Sequence, residues 1–278
     1  MWGLVVGCAP PEPEVLVAPD DARDGLDGTD GPFGALRATL RLPARVTEVV
    51  EVDVVWPGDG RGEPAVDDAP AVVLVPGGFV DADRYAWLAA HLATRGYVVA
   101  SPRPALGLAL LEAGDTEVAR RALDVLSQDL APDVYLGGPV VAAGHSLGGV
   151  VAGNWFVNTP DLAGVVLLAS WPTARPGPSE ERRALALVGS RDGSAPPATV
   201  AEGLQGYGAP LRFGVVDGMT HYAWTDDPTP GELGREPAPA RPVEALRRDA
   251  DRVIDAFLDA ATTGGEFTTE GYPNVDWR

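Results

Sequence analysis

Apolar residues along this chain follow three rhythms. Residues 35–42 and 46–56 alternate apolar and polar positions, with Val50, Val52 and Val54 on one side, which predicts two antiparallel strands. Short unbroken apolar runs follow at 71–75, 97–100, 140–143, 162–169, 184–188 and 211–216. Runs of that kind suit strands covered on both faces, as in a parallel sheet. Between them lie segments with helical spacing. Residues 85–95 put Tyr85, Leu88 and Leu92 on one face and stop at Gly96. Residues 116–130 line up Ala119, Leu123, Leu126 and Leu130, and residues 243–261 line up Leu246, Val253, Ile254, Phe257 and Leu258. Strands alternating with helices predict an α/β fold. Its mostly parallel sheet should have helices on both faces and strand C-termini along one edge. Residues 9–31, rich in Pro, Asp and Gly without period, read as a disordered tether. The expected organisation is a leader remnant and tether over 1–31, one folded domain over 32–262 and a tail over 263–278.

Chemistry enters where the run at 140–143 meets Gly144-His145-Ser146-Leu147-Gly148-Gly149 and then a small-residue helix start. This is a G-x-S-x-G turn between strand and helix, the setting in which a serine is held strained and exposed at a helix N-terminus. A nucleophilic serine needs a base, and the chain has three histidines. His145 adjoins Ser146 and cannot fold back onto it, and His91 lies inside an apolar helix. His221 stands in a loop after the last run and before the closing helix, where the order Ser, acid, His requires the base. Asp192 ends the run at 184–188 beside Gly193 and is the expected acid; Asp217, four residues before His221, is its rival. For an oxyanion, one amide is that of Leu147. A second comes from Pro76-Gly77-Gly78-Phe79, with Gly78 or Phe79 as donor.

Composition narrows the field. The 278 residues suffice for one large α/β domain, and the net charge of −19 argues against a nucleic-acid partner. All 21 basic residues are Arg, so Schiff-base chemistry, a Ser–Lys dyad and a P-loop are excluded. The single cysteine, Cys8, forms no intramolecular disulfide and no Cys-based metal site. Asp226 and Asp227 are adjacent loop acids, read as solvated, so no metal is assigned and no organic cofactor is implied. No apolar run is long enough to span a bilayer.

Two resemblances follow. Leu4-Val-Val-Gly-Cys8 resembles a bacterial lipobox, which implies lipidation at Cys8, attachment to a membrane and an extracytoplasmic location, with the tether as spacer. Pro-Gly-Gly-Phe after a strand, the helix-to-strand segment Leu88-Ala-Ala-His-Leu-Ala-Thr-Arg-Gly-Tyr-Val-Val99, Gly-His-Ser-Leu-Gly-Gly and the late histidine resemble the α/β-hydrolase superfamily over about residues 31–258. The nearest likeness is to its lidless group: chlorophyllases, platelet-activating-factor acetylhydrolase-like and dienelactone-hydrolase-like enzymes, and polyester hydrolases. That resemblance implies an α/β-hydrolase fold and a serine hydrolase of small-molecule or polymer esters, with the triad Ser146, His221 and Asp192. Trp171 resembles the aromatic lining the acyl subsite of polyester hydrolases, and Phe79 is a second candidate for substrate binding. The connection 170–183 is too short for a lid, which implies an open site. Loop 225–241 is expected to shape one wall. An amide-cleaving hydrolase, an acyltransferase and a non-catalytic surface lipoprotein on the same fold are the alternatives.

Overall fold

The computed structural model of the protein describes residues 12–21, 31–45, 48–59, 61–104, 114–175, 182–207 and 210–278. Cys8 lies outside the described residues. A ten-stranded sheet runs through the molecule in the order β1-β2-β3-β5-β4-β6-β7-β8-β9-β10. The alternating segments form β2 (Gly34–Arg45) and β3 (Glu48–Gly58), paired antiparallel, with Val50, Val52 and Val54 buried. The unbroken apolar runs form β4 (Ala71–Val75), β5 (Val98–Arg103), β6 (Val140–His145), β7 (Gly164–Leu168), β8 (Arg183–Gly189) and β9 (Leu211–Val216). Neighbours from β5 to β9 pair in parallel. All five residues of β4 are buried, as a strand sandwiched between helix layers requires.

Helices α1 (Ala86–Thr94) and α6 (Val243–Thr263) lie on one face, joined where His91 Nε2 meets Asp255 Oδ1 at 3.1 Å. His91 is therefore a buried packing residue bonded between helices. Burial opposes its protonation, but the Asp255 hydrogen bond and the Asp251 charge outweigh it and leave the pKa raised. Helices α2 (Asp115–Val125) and α3 (Leu147–Asn158) share the other face, where Trp155 Nε1 donates to Glu117 Oε1 at 2.6 Å. Right-handed crossovers account for this split: the chain steps one way from β4 to β5 and the opposite way to reach β6 and β7. Two short helices, α4 (Pro197–Gly203) and α5 (Pro230–Leu233), were not expected. They are about two turns and one turn long, below the length at which apolar periodicity is readable.

Two expectations need correction. Within the stretch 9–31, read as a disordered tether, Glu14–Asp21 forms β1, antiparallel to β2 with Val15 opposite Leu40. The run Val15-Leu16-Val17 has strand-forming residues, and the free edge of β2 supplies the partner that composition alone does not reveal. The expected tail 263–278 is also built in. Val275–Trp277 forms β10, antiparallel to β9, and Phe267 packs edge-on against Phe257 of α6 with centroids 5.7 Å apart. Aromatic burial holds this segment down: Trp277 sits edge-on to Phe267, and Tyr272 stacks on it.

Candidate active site

The reversal of direction between β4 and β6 makes a topological switch point. Helices α1 and α3 leave on opposite faces, so a crevice opens beyond the C-terminal ends of these two strands. The Pro76–Phe79 loop ends β4, and Ser146 ends β6. Among the described residues, three of the six non-glycine residues at positive φ cluster at this edge: Phe79 (60°), Ser146 (52°) and Ala169 (51°).

Ser146 has φ 52° and ψ −123°, a conformation that costs about 1–3 kcal/mol and persists only when its surroundings impose it. They do so from several sides. Its N–H donates to Leu168 O at 2.9 Å, and its carbonyl accepts from Gly149 N–H at 3.0 Å and from Ser170 Oγ–H at 2.7 Å. The flanking glycines are sterically required. A Cβ on Gly144 would lie 2.4 Å from Gly148 O, and one on Gly148 would lie 2.1 Å from Pro76 O. Strand β6, helix α3 and the end of β4 thus meet backbone to backbone.

Backbone donors face this turn from two sides. Gly77 N–H is engaged, donating to Tyr85 Oη at 2.9 Å. Among the described residues, no acceptor pairs with the N–H groups of Leu147, Gly78 or Phe79. These are the three amides expected from sequence. The loops carrying them touch, since a Cβ on Gly78 would meet Leu147 Cδ1 at 2.5 Å. Phe79 is 74% exposed at the rim, while Trp171 is half-buried and its indole covers Gly203 of α4.

The structure brings His221 and Asp192 together. His221 opens a 3-10 turn, His221–Trp224, and its Nδ1–H donates to Asp192 Oδ2 at 2.8 Å and Oδ1 at 3.1 Å. Both residues are buried. Asp192 Oδ1 also accepts from Ala195 N–H at 2.6 Å, which orients the carboxylate. Nδ1 is thereby committed to Asp192, and Nε2 is left as the unprotonated nitrogen. Asp217 is not the partner: it is exposed and accepts from Ser190 Oγ at 3.3 Å. Ser146 Oγ and His221 Nε2 are not hydrogen-bonded here. Their elements are adjacent nonetheless, because the His145 and His221 rings lie 4.5 Å apart.

Several contributors had no signal in the sequence. Tyr85, read as one member of an apolar stripe, is buried with its hydroxyl between Gly77 N–H and His145 Nδ1, the latter at 2.8 Å. Having accepted from Gly77, the hydroxyl donates its own proton to Nδ1, which makes His145 the Nε2–H tautomer. Burial, and then the neighbouring His221, push the His145 pKa well below its ordinary value, with the His221 backbone acting in the opposite sense. His145 is thus a neutral ring beside His221. Arg84 fastens the loop after His221: its guanidinium pairs with both Glu232 oxygens at 2.9 Å and donates to Asp226 O at 2.9 Å. Through its hydrogen bonds to Glu232, Arg84 holds that carboxyl down at about 2. Asp226 accepts from Arg247 at 2.8 Å and from Trp87 N–H at 3.3 Å, so it serves as an anchor of this loop. Among the described residues, no group of three His, Cys, Asp or Glu side chains is placed to hold a metal ion.

A model of the alpha/beta hydrolase family matches residues 71–226, more than half of the chain. The match runs from the first residue of β4 to just beyond His221, and so takes in the Gly78 loop, Ser146 and Asp192. None of the curated proteins compared with the chain matches it.

Proposed function

The chain belongs to the alpha/beta hydrolase family, and on that premise we propose that it is a serine hydrolase of carboxylic esters. The observation that carries this proposal is the buried His221–Asp192 hydrogen bond beside a serine held at positive φ. In the reaction, Ser146 Oγ attacks the acyl carbon while its proton passes to His221 Nε2. Asp192 accepts from Nδ1–H throughout and stabilises the imidazolium without taking the proton. The N–H groups of Leu147 and of Gly78 or Phe79 receive the oxyanion. They are fixed before the reaction begins, so no reorganisation opposes the developing charge. The bond to the alkoxide breaks, and the leaving oxygen takes the proton from Nε2. Water then repeats the sequence on the acyl-enzyme, giving the free acid and restoring Ser146.

The short connection from β7 to β8 supports membership of the lidless group of such esterases, and Phe79 and Trp171 supply apolar walls for the acyl and alcohol parts. A fluorophosphonate probe tests the chemistry directly. It should label the protein once, on the peptide containing Ser146, and an unlabelled protein would sink the proposal. The wall is tested separately. Phe79→Ala should lower kcat/KM about tenfold for p-nitrophenyl octanoate, the scale of one lost aromatic contact, and leave the acetate nearly unchanged. Equal losses on both esters would remove Phe79 from the acyl subsite.

A further inference from the structure

Glu236 lies outside the matched family region, on the stretch that follows α5, yet its carboxylate reaches both the acid turn and the base. Oε2 accepts from Gly193 N–H at 2.8 Å and from His221 N–H at 3.3 Å, while Oε1 accepts from Ser194 Oγ–H at 2.6 Å. Gly193 and Ser194 directly follow Asp192, and His221 is the base itself. The Glu236 side chain therefore ties the acid turn to the backbone of the base. Other bonds also hold these segments together, among them Arg191 N–H to Met219 O at 2.9 Å and Gly218 N–H to Ser190 Oγ at 2.8 Å. Both lie on the strand side of Asp192. Glu236 braces the far side, where the turn leaves the sheet and nothing else bonds to Gly193 N–H among the described residues. The site also has a reason to need a brace. His221 is the first residue of a 3-10 turn, so its N–H finds no partner within that turn.

We propose that Glu236 is a positioning residue for the base: by bonding Gly193, Ser194 and His221 together it fixes the imidazole against Asp192. This inference rests on the serine-hydrolase proposal. Its mechanistic content is geometric. The Asp192–His221 bond is useful only if Nε2 also points at Ser146, and a displacement of about 1 Å at a reacting group can lower a rate by about a hundredfold. Substrate binding uses Phe79, Trp171 and the free amides, none of which Glu236 touches, so the loss should fall on kcat.

The test is a double-mutant cycle with Asp192→Asn, read by kcat and KM on p-nitrophenyl butyrate and by the rate of fluorophosphonate labelling. Glu236→Ala should lower kcat and the labelling rate about ten- to a hundredfold with KM within about twofold. Glu236→Gln, nearly isosteric and with one accepting oxygen, should fall between wild type and Glu236→Ala. In the Asp192→Asn background the Glu236 substitution should change kcat by less than about twofold, because the bond it protects is already spoiled. An unchanged kcat in the single variants, or losses that multiply fully across the cycle, would overturn the positioning role while leaving the hydrolase proposal intact. If Glu236→Ala fails to fold, the Glu236→Gln arm decides by the same criteria. A wild-type protein that neither turns over nor labels would overturn both.

Discussion

Ser146→Ala is expected to lower kcat for ester hydrolysis by about a millionfold, with Asp192→Asn lowering it by about ten-thousandfold. The two magnitudes differ for a physical reason. Removing the nucleophile abolishes the acyl-enzyme and leaves only binding and the free amides of Leu147, Gly78 and Phe79 to act on a water. Converting Asp192 to Asn leaves the nucleophile but presents a donor to His221 Nδ1 in place of an acceptor. The ring then favours the tautomer with its proton on Nε2, the nitrogen that must be basic. Both variants should fold, since Ser→Ala removes one oxygen and Asp→Asn is isosteric. Steady-state kinetics on a p-nitrophenyl ester, with thermal melts as a control, reads both. A Ser146→Ala protein that keeps more than about a tenth of wild-type activity would mean the hydrolysis occurs elsewhere.

The second large effect is on the fold. Gly148→Ala would place a methyl carbon 2.1 Å from Pro76 O and 2.3 Å from Val75 O. Both obstacles are backbone atoms at the end of the central strand β4, so neither can swing aside as a side-chain tip would. The helix α3 must move away from β4 or β4 must bend. A loss of about 3 kcal/mol is expected, the upper range for overpacking, and a Tm lowered by about 6–12 °C. Activity should fall further than stability explains, because the atoms pushed apart carry the Leu147 amide on one side and the Gly78 loop on the other. Gly231→Ala is the matched control: its added Cβ meets nothing within 4 Å, and it should melt with wild type. Equal melting of the two variants would show that the elbow tolerates separation from β4.

What could be read from the chain in advance were features written locally. The elbow needs glycines two positions either side of Ser146 because of contacts made within a few residues or to the strand alongside. Such a requirement leaves a compact signature. Asp192 and His221 were readable because each lies just past an unbroken apolar run, and a parallel sheet brings those run-ends to one edge. The supporting residues have no such marker. Ser170 donates to the Ser146 carbonyl across 24 residues and Arg84 reaches Glu232 across 148, and in each case the partner is chosen by the fold. Tyr85 was hidden differently: its apolar ring satisfies the helix pattern, and its hydroxyl acts on another segment. The edge strands β1 and β10 escaped because an edge strand needs only a neighbour with unpaired backbone groups, and that neighbour is distant in sequence. The family match at 71–226 covers the locally legible part and stops short of both edges.

The buried hydroxyl of Tyr85 also bears on behaviour in alkali. Burial raises its pKa far above the ordinary phenol value, and Gly77 N–H only partly offsets this. In the folded protein the link between the Pro76–Phe79 loop and the elbow therefore stays protonated at a pH where an exposed phenol has ionised. The unfolded chain has no such protection, and its tyrosines ionise near 10. Above that pH the unfolded state binds fewer protons than the folded one, so stability falls by about 1.4 kcal/mol per pH unit for Tyr85 alone. Tyr97 and Tyr207, each pushed up to about 12 by burial, act in the same direction. Rising pH thus weakens the scaffold through its buried tyrosines.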